Sequence, residues 1–205
     1  MCLKTGKVST IFDTCQTRAR QSERLMVPVS FPAIPNRSVS DAVLDFAGEE
    51  MVLTKSNALY WPKERTLLVA DLHLEKGSWY AARGSMLPPY DSRETLERLA
   101  DSIKATGARR VITLGDNFHD DAGTCRLEPY AAGMLESLIR SLDWVWVTGN
   151  HDGEMPRTFG AASFSELEVS GIILRHEAQA GETRPELSGH YHPKMRIQVR
   201  TRYIA

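Results

Sequence analysis

At 205 residues, 42% of them hydrophobic, the chain is long enough to bury one substantial core and short enough to be a single domain. Twenty-five basic residues against 26 acidic ones give a formal charge of -1, which excludes capture of nucleic acid by bulk charge and leaves only local basic surfaces. Cys2, Cys15 and Cys125 show no CxxC spacing and no apolar run reaches the length of a membrane span or resembles a secretion signal, so a disulfide scaffold, a zinc knuckle and a membrane protein are excluded and a cytoplasmic protein is expected.

Residues 1–40 mix isolated charges with the Pro-broken "VPVSFPAIPNRS", which predicts a loosely ordered N-terminal arm ahead of one domain over 41–205. "TGKVST" around Lys7 lacks the upstream Gly and the following Ser or Thr of a phosphate-binding loop, and Met26 offers an alternative translation start. "AVLDFAGEEMVLT" and "NALYWPKERTLLVADLH" read as hairpin-forming strands. In "YDSRETLERLADSIKAT", Leu96, Leu99 and Ile103 recur at helical spacing between a cap at Asp91 or Ser92 and the stop at Gly107. The strand "RRVITLGD", a helix over roughly 129–142 and the strand "DWVWVTG" follow. This order predicts parallel pairing with helices outside. Trp144 and Trp146 alternate with valines and read as packing. Beyond Gly153 come short strands in "SELEVSG", "GIILRHE" and "KMRIQVRTRYI".

All six histidines, His73, His119, His151, His176, His190 and His192, lie near a strand end or in a Gly-flanked turn, and most have a carboxylate, amide or second imidazole within two positions. Asp71 and His73 in "DLH" are two apart and leave one face of a strand, as do His190 and His192 in "GHYH". Asp116 follows Gly115, which admits close approach of the backbone. With Asn150 and His176 these make two carboxylates, one amide oxygen and four imidazoles. One tetrahedral ion needs four ligands, so seven fit two divalent ions sharing a bridging carboxylate. Nitrogen and oxygen donors without thiolate suit manganese, iron or zinc.

The ordered set "DLH", "GDNFH", "GNHD", "RHE" and "GHYH" resembles the calcineurin-like metallophosphoesterase superfamily. The longer "DLHLEKGSWYAARGSMLPPYDSRETLERL" resembles a narrower family, the bacterial DNA ligase-associated metallophosphoesterases, described as DNA damage response endonucleases. The resemblance implies an α/β fold, an α/β/β/α sandwich of two mixed sheets flanked by helices. The chain stops 13 residues after His192, so the last strands of the second sheet are expected to be missing and that edge exposed. It also implies roles: Asp71, His73 and His192 on one ion, Asn150, His176 and His190 on the other, Asp116 between them, and a hydroxide between the ions as nucleophile, with manganese the favoured metal. His151 would stabilise the transition state or protonate the leaving oxygen. His119, expected as a second catalytic residue assisting His151, stands where many relatives carry an Asp that orients this histidine, a departure shared with the double-strand-break repair nucleases. Asp120 and Asp152 are candidates for orienting the imidazoles, Asp152 alternatively for capping a turn.

The expected activity is therefore phosphodiester hydrolysis, as an endonuclease on DNA in repair. Expected partners are an ATP-dependent DNA ligase, a DEXH helicase and an exonuclease, and no membrane. Two other readings compete: a phosphodiesterase or phosphatase for small nucleotides, indifferent to DNA polymers, and an inactive subunit that binds repair partners without metal-dependent turnover. Lys76 and Arg83 after the first motif, and the row Lys194, Arg196, Arg200 and Arg202, are candidates for substrate phosphate or for solvated surface.

Overall fold

The computed structural model describes residues 2–5, 7–10, 41–85, 90–152, 159–193, 197–199 and 202–204. The first two segments are strands β1 (Cys2–Thr5) and β2 (Lys7–Thr10). The rest of the arm expected over 1–40, Cys15 and Met26 included, lies outside the described residues.

Period-two patterning from Ala42 builds an antiparallel meander of β3 (Ala42–Phe46), β4 (Glu49–Leu53), β5 (Leu59–Trp61) and β6 (Thr66–Val69). In β3, Leu44 and Phe46 point inward while Val43 and Asp45 face water. Helix α1 (Lys76–Ala81) follows the "DLH" motif, and α2 (Asp91–Thr106) buries Leu96 and Leu99 as the spacing predicts. Gly107 closes α2 in a left-handed conformation. Tyr90, not Asp91 or Ser92, occupies the N-cap position. Those two side chains serve α1 instead: the Asp91 carboxylate accepts from Gly77 N at 2.7 Å, and the Ser92 hydroxyl accepts from Glu75 N and donates to Glu75 Oε1, both at 2.8 Å.

Strand β7 (Arg110–Leu114), the single turn α3 (Gly123–Arg126), helix α4 (Pro129–Ser141), β8 (Asp143–Val147) and β9 (Ala162–Phe164) complete the parallel half. Helix α4 starts with Pro129 behind Glu128, whose carboxylate accepts from the N–H groups of Tyr130 and Ala131. The larger sheet runs β3-β4-β5-β6-β7-β8-β9, antiparallel to β6 and parallel from β6 onward.

The smaller sheet contains β10 (Glu166–Val169), β11 (Ile172–Arg175) and β12 (Glu186–Ser188), with β11 and β12 parallel. The free edge of β12, expected to be exposed, is instead paired with β1, Cys2 opposite Ser188 and Lys4 opposite Glu186, and β2 lies beyond. Strands β13 (Ile197–Val199) and β14 (Arg202–Ile204) pair only with each other among the described residues. Of the expected basic row, Lys194, Arg196 and Arg200 lie outside the described residues.

The central strands are buried on both faces, and this sets the layers. Leu68, Ile112, Leu114, Val145 and Val147 meet Ile172, Leu174 and Leu187 of the smaller sheet. Leu67, Val69, Val111, Trp144 and Trp146 turn to the other side, against Leu96 and Leu99 of α2 and Ala131, Leu135 and Ile139 of α4. Both tryptophans are packing residues. An apolar slab on each side of β6, β7 and β8 leaves them no freedom to shift register, because a slip of one residue would exchange the two faces.

Candidate metal centre

Strands β6, β7 and β8 run parallel in one sheet and β11 and β12 in the other, so the carboxyl ends of each set lie together. That crevice is where open α/β sheets bind ligands. Asp71 lies just past β6, Asp116 past β7, Asn150 past β8, His176 directly after β11 and His190 past β12. One ligand atom from each of Asp71, His73, Asp116 and His192 lies within 4.8 Å of the others, and Asp116, His176 and His190 form a second such group. Asn150 joins the second, its Oδ1 2.8 Å from His176 Nε2. All seven sequence-predicted ligands are thus brought into one crevice.

The backbone carries the strain of this convergence. Asp71, His73, Asp116, His190 and His192 all have positive φ, between 39° and 71°, a region non-glycine residues seldom occupy. Each such residue costs roughly 1–3 kcal/mol, offset here by main-chain bonds that continue beyond the sheet. Asp71 N donates to Gly115 O at 3.2 Å, His73 N to Asp116 O at 2.8 Å and Leu74 N to Asn117 O at 2.9 Å. These bonds tie the "DLH" and "GDNF" segments to each other. Both oxygens of Asp71 also lie 3.0 Å from His190 N, which joins the first motif to the last.

Three glycines make the approach possible, and a Cβ on Gly189 would stand 2.6 Å from Leu114 O. A Cβ on Gly115, whose φ is +74°, would overlap the His176 ring, and one on Gly149 would overlap Asp116 N, each closer than the 3.0 Å that real Cβ atoms keep.

Donor chemistry fits cations. His176 Nδ1 lies 3.1 Å from the Leu114 carbonyl, which can only accept, so Nδ1 carries the proton. In the neutral ring Nε2 is then a lone pair, yet it faces Asn150 Oδ1 at 2.8 Å and Asp116 Oδ1 at 3.2 Å. Acceptors facing acceptors need a positive charge between them. His73 Nε2 and His192 Nε2 stand 3.2 Å apart, and His190 Nδ1 and His176 Nε2 3.1 Å apart. Ligands about 2.0–2.1 Å from a shared ion stand roughly 3 Å from one another. Burial lowers the His73 pKa to about 4, the charges of Asp116 and Asp71 only partly opposing it, so at neutral pH this ring is in the unprotonated form that ligates.

His151 is exposed at the rim of the crevice. Its Nδ1 lies 3.1 Å from the backbone carbonyl of His119 and its Nε2 4.0 Å from Asp116 Oδ2, so the carbonyl directs Nε2 toward the ligand cluster. The His119 ring stacks alongside at a centroid distance of 5.9 Å; no described hydrogen bond joins the two rings. Burial lowers the His119 pKa, with Lys76 and His151 acting in the same direction.

Neither suggested orienting carboxylate touches an imidazole. Asp120 forms a bidentate pair with Arg126, which also reaches Ser78 Oγ at 3.0 Å and so ties α3 to α1. Asp152 is buried and closes its own turn by accepting from Gly149 N at 2.7 Å. It also accepts from Asn117 N at 2.7 Å, Asn117 Nδ2 at 2.8 Å and Phe118 N at 3.1 Å. The carboxylate thereby clamps the Asn150 loop to the Asp116 loop. The turn-capping alternative for Asp152 is the one the geometry matches, whereas Asn117 is the partner that sequence reasoning missed, its only signal being its place beside Asp116. Asp152→Ala strands these donors, so a loss of about 3 kcal/mol or more in denaturant unfolding is expected. A change under 1 kcal/mol would show that this carboxylate does not hold the two loops together.

Residues 64–192 match the calcineurin-like phosphoesterase family. Among solved structures the chain is similar to the nuclease MPE of Pseudomonas putida, with a TM-score of 0.60 and 28% identity over 75% of this chain and 74% of that one. No curated protein matches it. Among the described residues no helix is long and apolar enough to cross a membrane.

Proposed function

We propose, from the premise that the chain belongs to the calcineurin-like phosphoesterase family and is a metal-dependent phosphoester hydrolase, that it is a two-metal phosphodiesterase acting as an endonuclease on DNA. The observation that carries the reading is the position of Asp116. Its Oδ1 is 3.2 Å from His176 Nε2 and its Oδ2 3.9 Å from His73 Nε2, so one buried carboxylate faces two separate donor groups. Asp71, His73 and His192 would hold one ion and Asn150, His176 and His190 the other, with Asp116 shared between the two groups. The chemistry such a pair of divalent ions would supply is a water activated at neutral pH and neutralisation of charge on the phosphoryl oxygens.

The chain's own groups do the rest. His151 presents Nε2 at the open rim, where a leaving oxygen departs, and the His119 carbonyl keeps the proton on Nδ1 unless the ring is charged. A protonated His151 then donates from Nε2 to that oxygen. The neutral His73 ring spends no binding energy on deprotonation. The His119 ring holds this rim by packing against His73 and His151.

The donor set favours manganese, with iron or zinc as alternatives. The likeness to a nuclease supports a nucleic-acid substrate. Work in DNA repair in the cytoplasm, beside an ATP-dependent ligase, a DEXH helicase and an exonuclease, rests on the resemblance of the 71–99 stretch to the ligase-associated family.

Protein loaded with manganese is expected to hydrolyse a chromogenic phosphodiester and to cut single-stranded or nicked DNA, both activities disappearing with a chelator. Cleavage of neither by metal-loaded protein would falsify the reading. Turnover of small nucleotides with indifference to DNA would replace it with the small-nucleotide alternative.

A further inference from the structure

Helix α1 leads out of the candidate metal centre carrying side chains that neither core uses. Trp79 and Tyr80 follow Lys76 by one turn, and Arg83 follows them by another, in the turn that ends the helix. Trp61, Trp144 and Trp146 are buried core residues; Trp79 belongs to neither core cluster and is only half-buried. Its ring meets His119 edge-on at 4.9 Å, and His119 lies 5.6 Å from His73. Tyr80 lies 5.9 Å from the same His119 ring. The aromatic surface is therefore two ring contacts away from where a phosphate would be cleaved. Arg83 sits 3.6 Å over the Trp79 ring, held by a bond from its Nη1 to Trp79 O at 3.1 Å. Lys76 and Arg83 are exposed, and among the described residues neither pairs with a carboxylate.

Cations without counter-ions beside a half-open aromatic pair match what single-stranded nucleic acid needs, a π-face for each base and a positive charge for each phosphate. We infer that Trp79 and Tyr80, flanked by Lys76 and Arg83, form a nucleobase-stacking subsite for the nucleotide next to the scissile phosphate. This rests on the endonuclease reading above and adds to it the residues that distinguish a nucleotide chain from any small diester. A base reaches these rings only when it has left its duplex stack.

The buried position of the other three tryptophans makes the test direct. With chelator present to stop turnover, oligodeoxythymidylate is expected to quench the fluorescence of the wild-type protein and to leave that of Trp79→Phe unchanged. In manganese-loaded Trp79→Ala, the ratio of kcat/KM for the oligonucleotide to that for a bis(nitrophenyl) phosphate is expected to fall about 5- to 150-fold, through KM. Arg83→Gln and Lys76→Gln should each reduce the salt slope of oligonucleotide binding by about 0.7. If wild type cleaves both substrates while quenching persists in Trp79→Phe and the ratio is unchanged in Trp79→Ala, the subsite is wrong and the endonuclease reading stands. If metal-loaded wild type cleaves neither, both fall.

Discussion

Gly149→Ala is expected to abolish most metal binding while leaving the chain folded. The added methyl would lie closer than 3.0 Å to Asp116 N and to its Oδ1, and 3.1 Å from Gly115 C, so it meets main chain and not the far end of a flexible side chain. That main chain cannot recoil alone. Gly115 N is bonded to Val147 O at 2.9 Å, and the Gly115 and Asp116 carbonyls take the N–H groups of Asp71 and His73. A shift of Asp116 therefore drags ligands of both donor groups. Changing outer groups that merely orient metal ligands typically costs 10- to 100-fold in affinity. Displacing Asp116, the carboxylate proposed to be shared by the two ions, should exceed that, so a loss of at least about 100-fold is expected in a metal titration, with turnover falling in parallel. Strain from overpacking costs about 1–3 kcal/mol, short of unfolding a domain with this core. Gly133→Ala is the control. That glycine lies inside α4 with nothing within 4 Å of its Cβ position, so alanine there should stabilise by about 0.5–1 kcal/mol and leave metal binding alone. Full metal occupancy in Gly149→Ala would mean that the close approach of these loops is not what builds the site.

How far the sequence reveals such a site depends on whether the signal is local. The histidine and carboxylate motifs sit at strand ends, and strand ends are visible as the point where an apolar run meets Gly and Asp. Parallel strands then bring those points together whatever the loops do, which is why residues as far apart as Asp71 and His190 meet without any pattern linking them. The doubly buried strands β7 and β8 were equally plain, because burial on both faces writes a continuous apolar run. What stayed hidden depended on side chains acting at a distance. Asp91 and Ser92 resemble helix caps by residue type, yet they were recruited by the backbone of α1 some 14 to 17 residues earlier. Asp152 read equally as a partner for an imidazole or as the cap of a turn, and the backbone donors of Gly149, Asn117 and Phe118 claimed it. The pairing of β1 with β12 joins the two ends of the chain, and β12 itself is three residues long and includes a charged Glu186, too short for periodicity to register.

His151→Ala should reduce DNA cleavage by about 100- to 10,000-fold while leaving metal content intact, the range general acid catalysis typically supplies. The ring is at the rim and its Nδ1 is engaged by the His119 carbonyl, so removing it withdraws no donor from either ion group. Two roles remain for Nε2, and the leaving group separates them. A nucleoside alkoxide is a poor leaving group that must receive a proton as its bond to phosphorus breaks. A nitrophenolate carries its own charge and departs without one. If His151 is the acid, the alanine variant loses far more activity on DNA than on the nitrophenyl diester. If it only stabilises charge on the phosphoryl oxygens, both substrates suffer alike, since those oxygens are common to both. A parallel loss on the two substrates would therefore exclude proton donation, and wild-type activity on DNA would remove His151 from the reaction altogether.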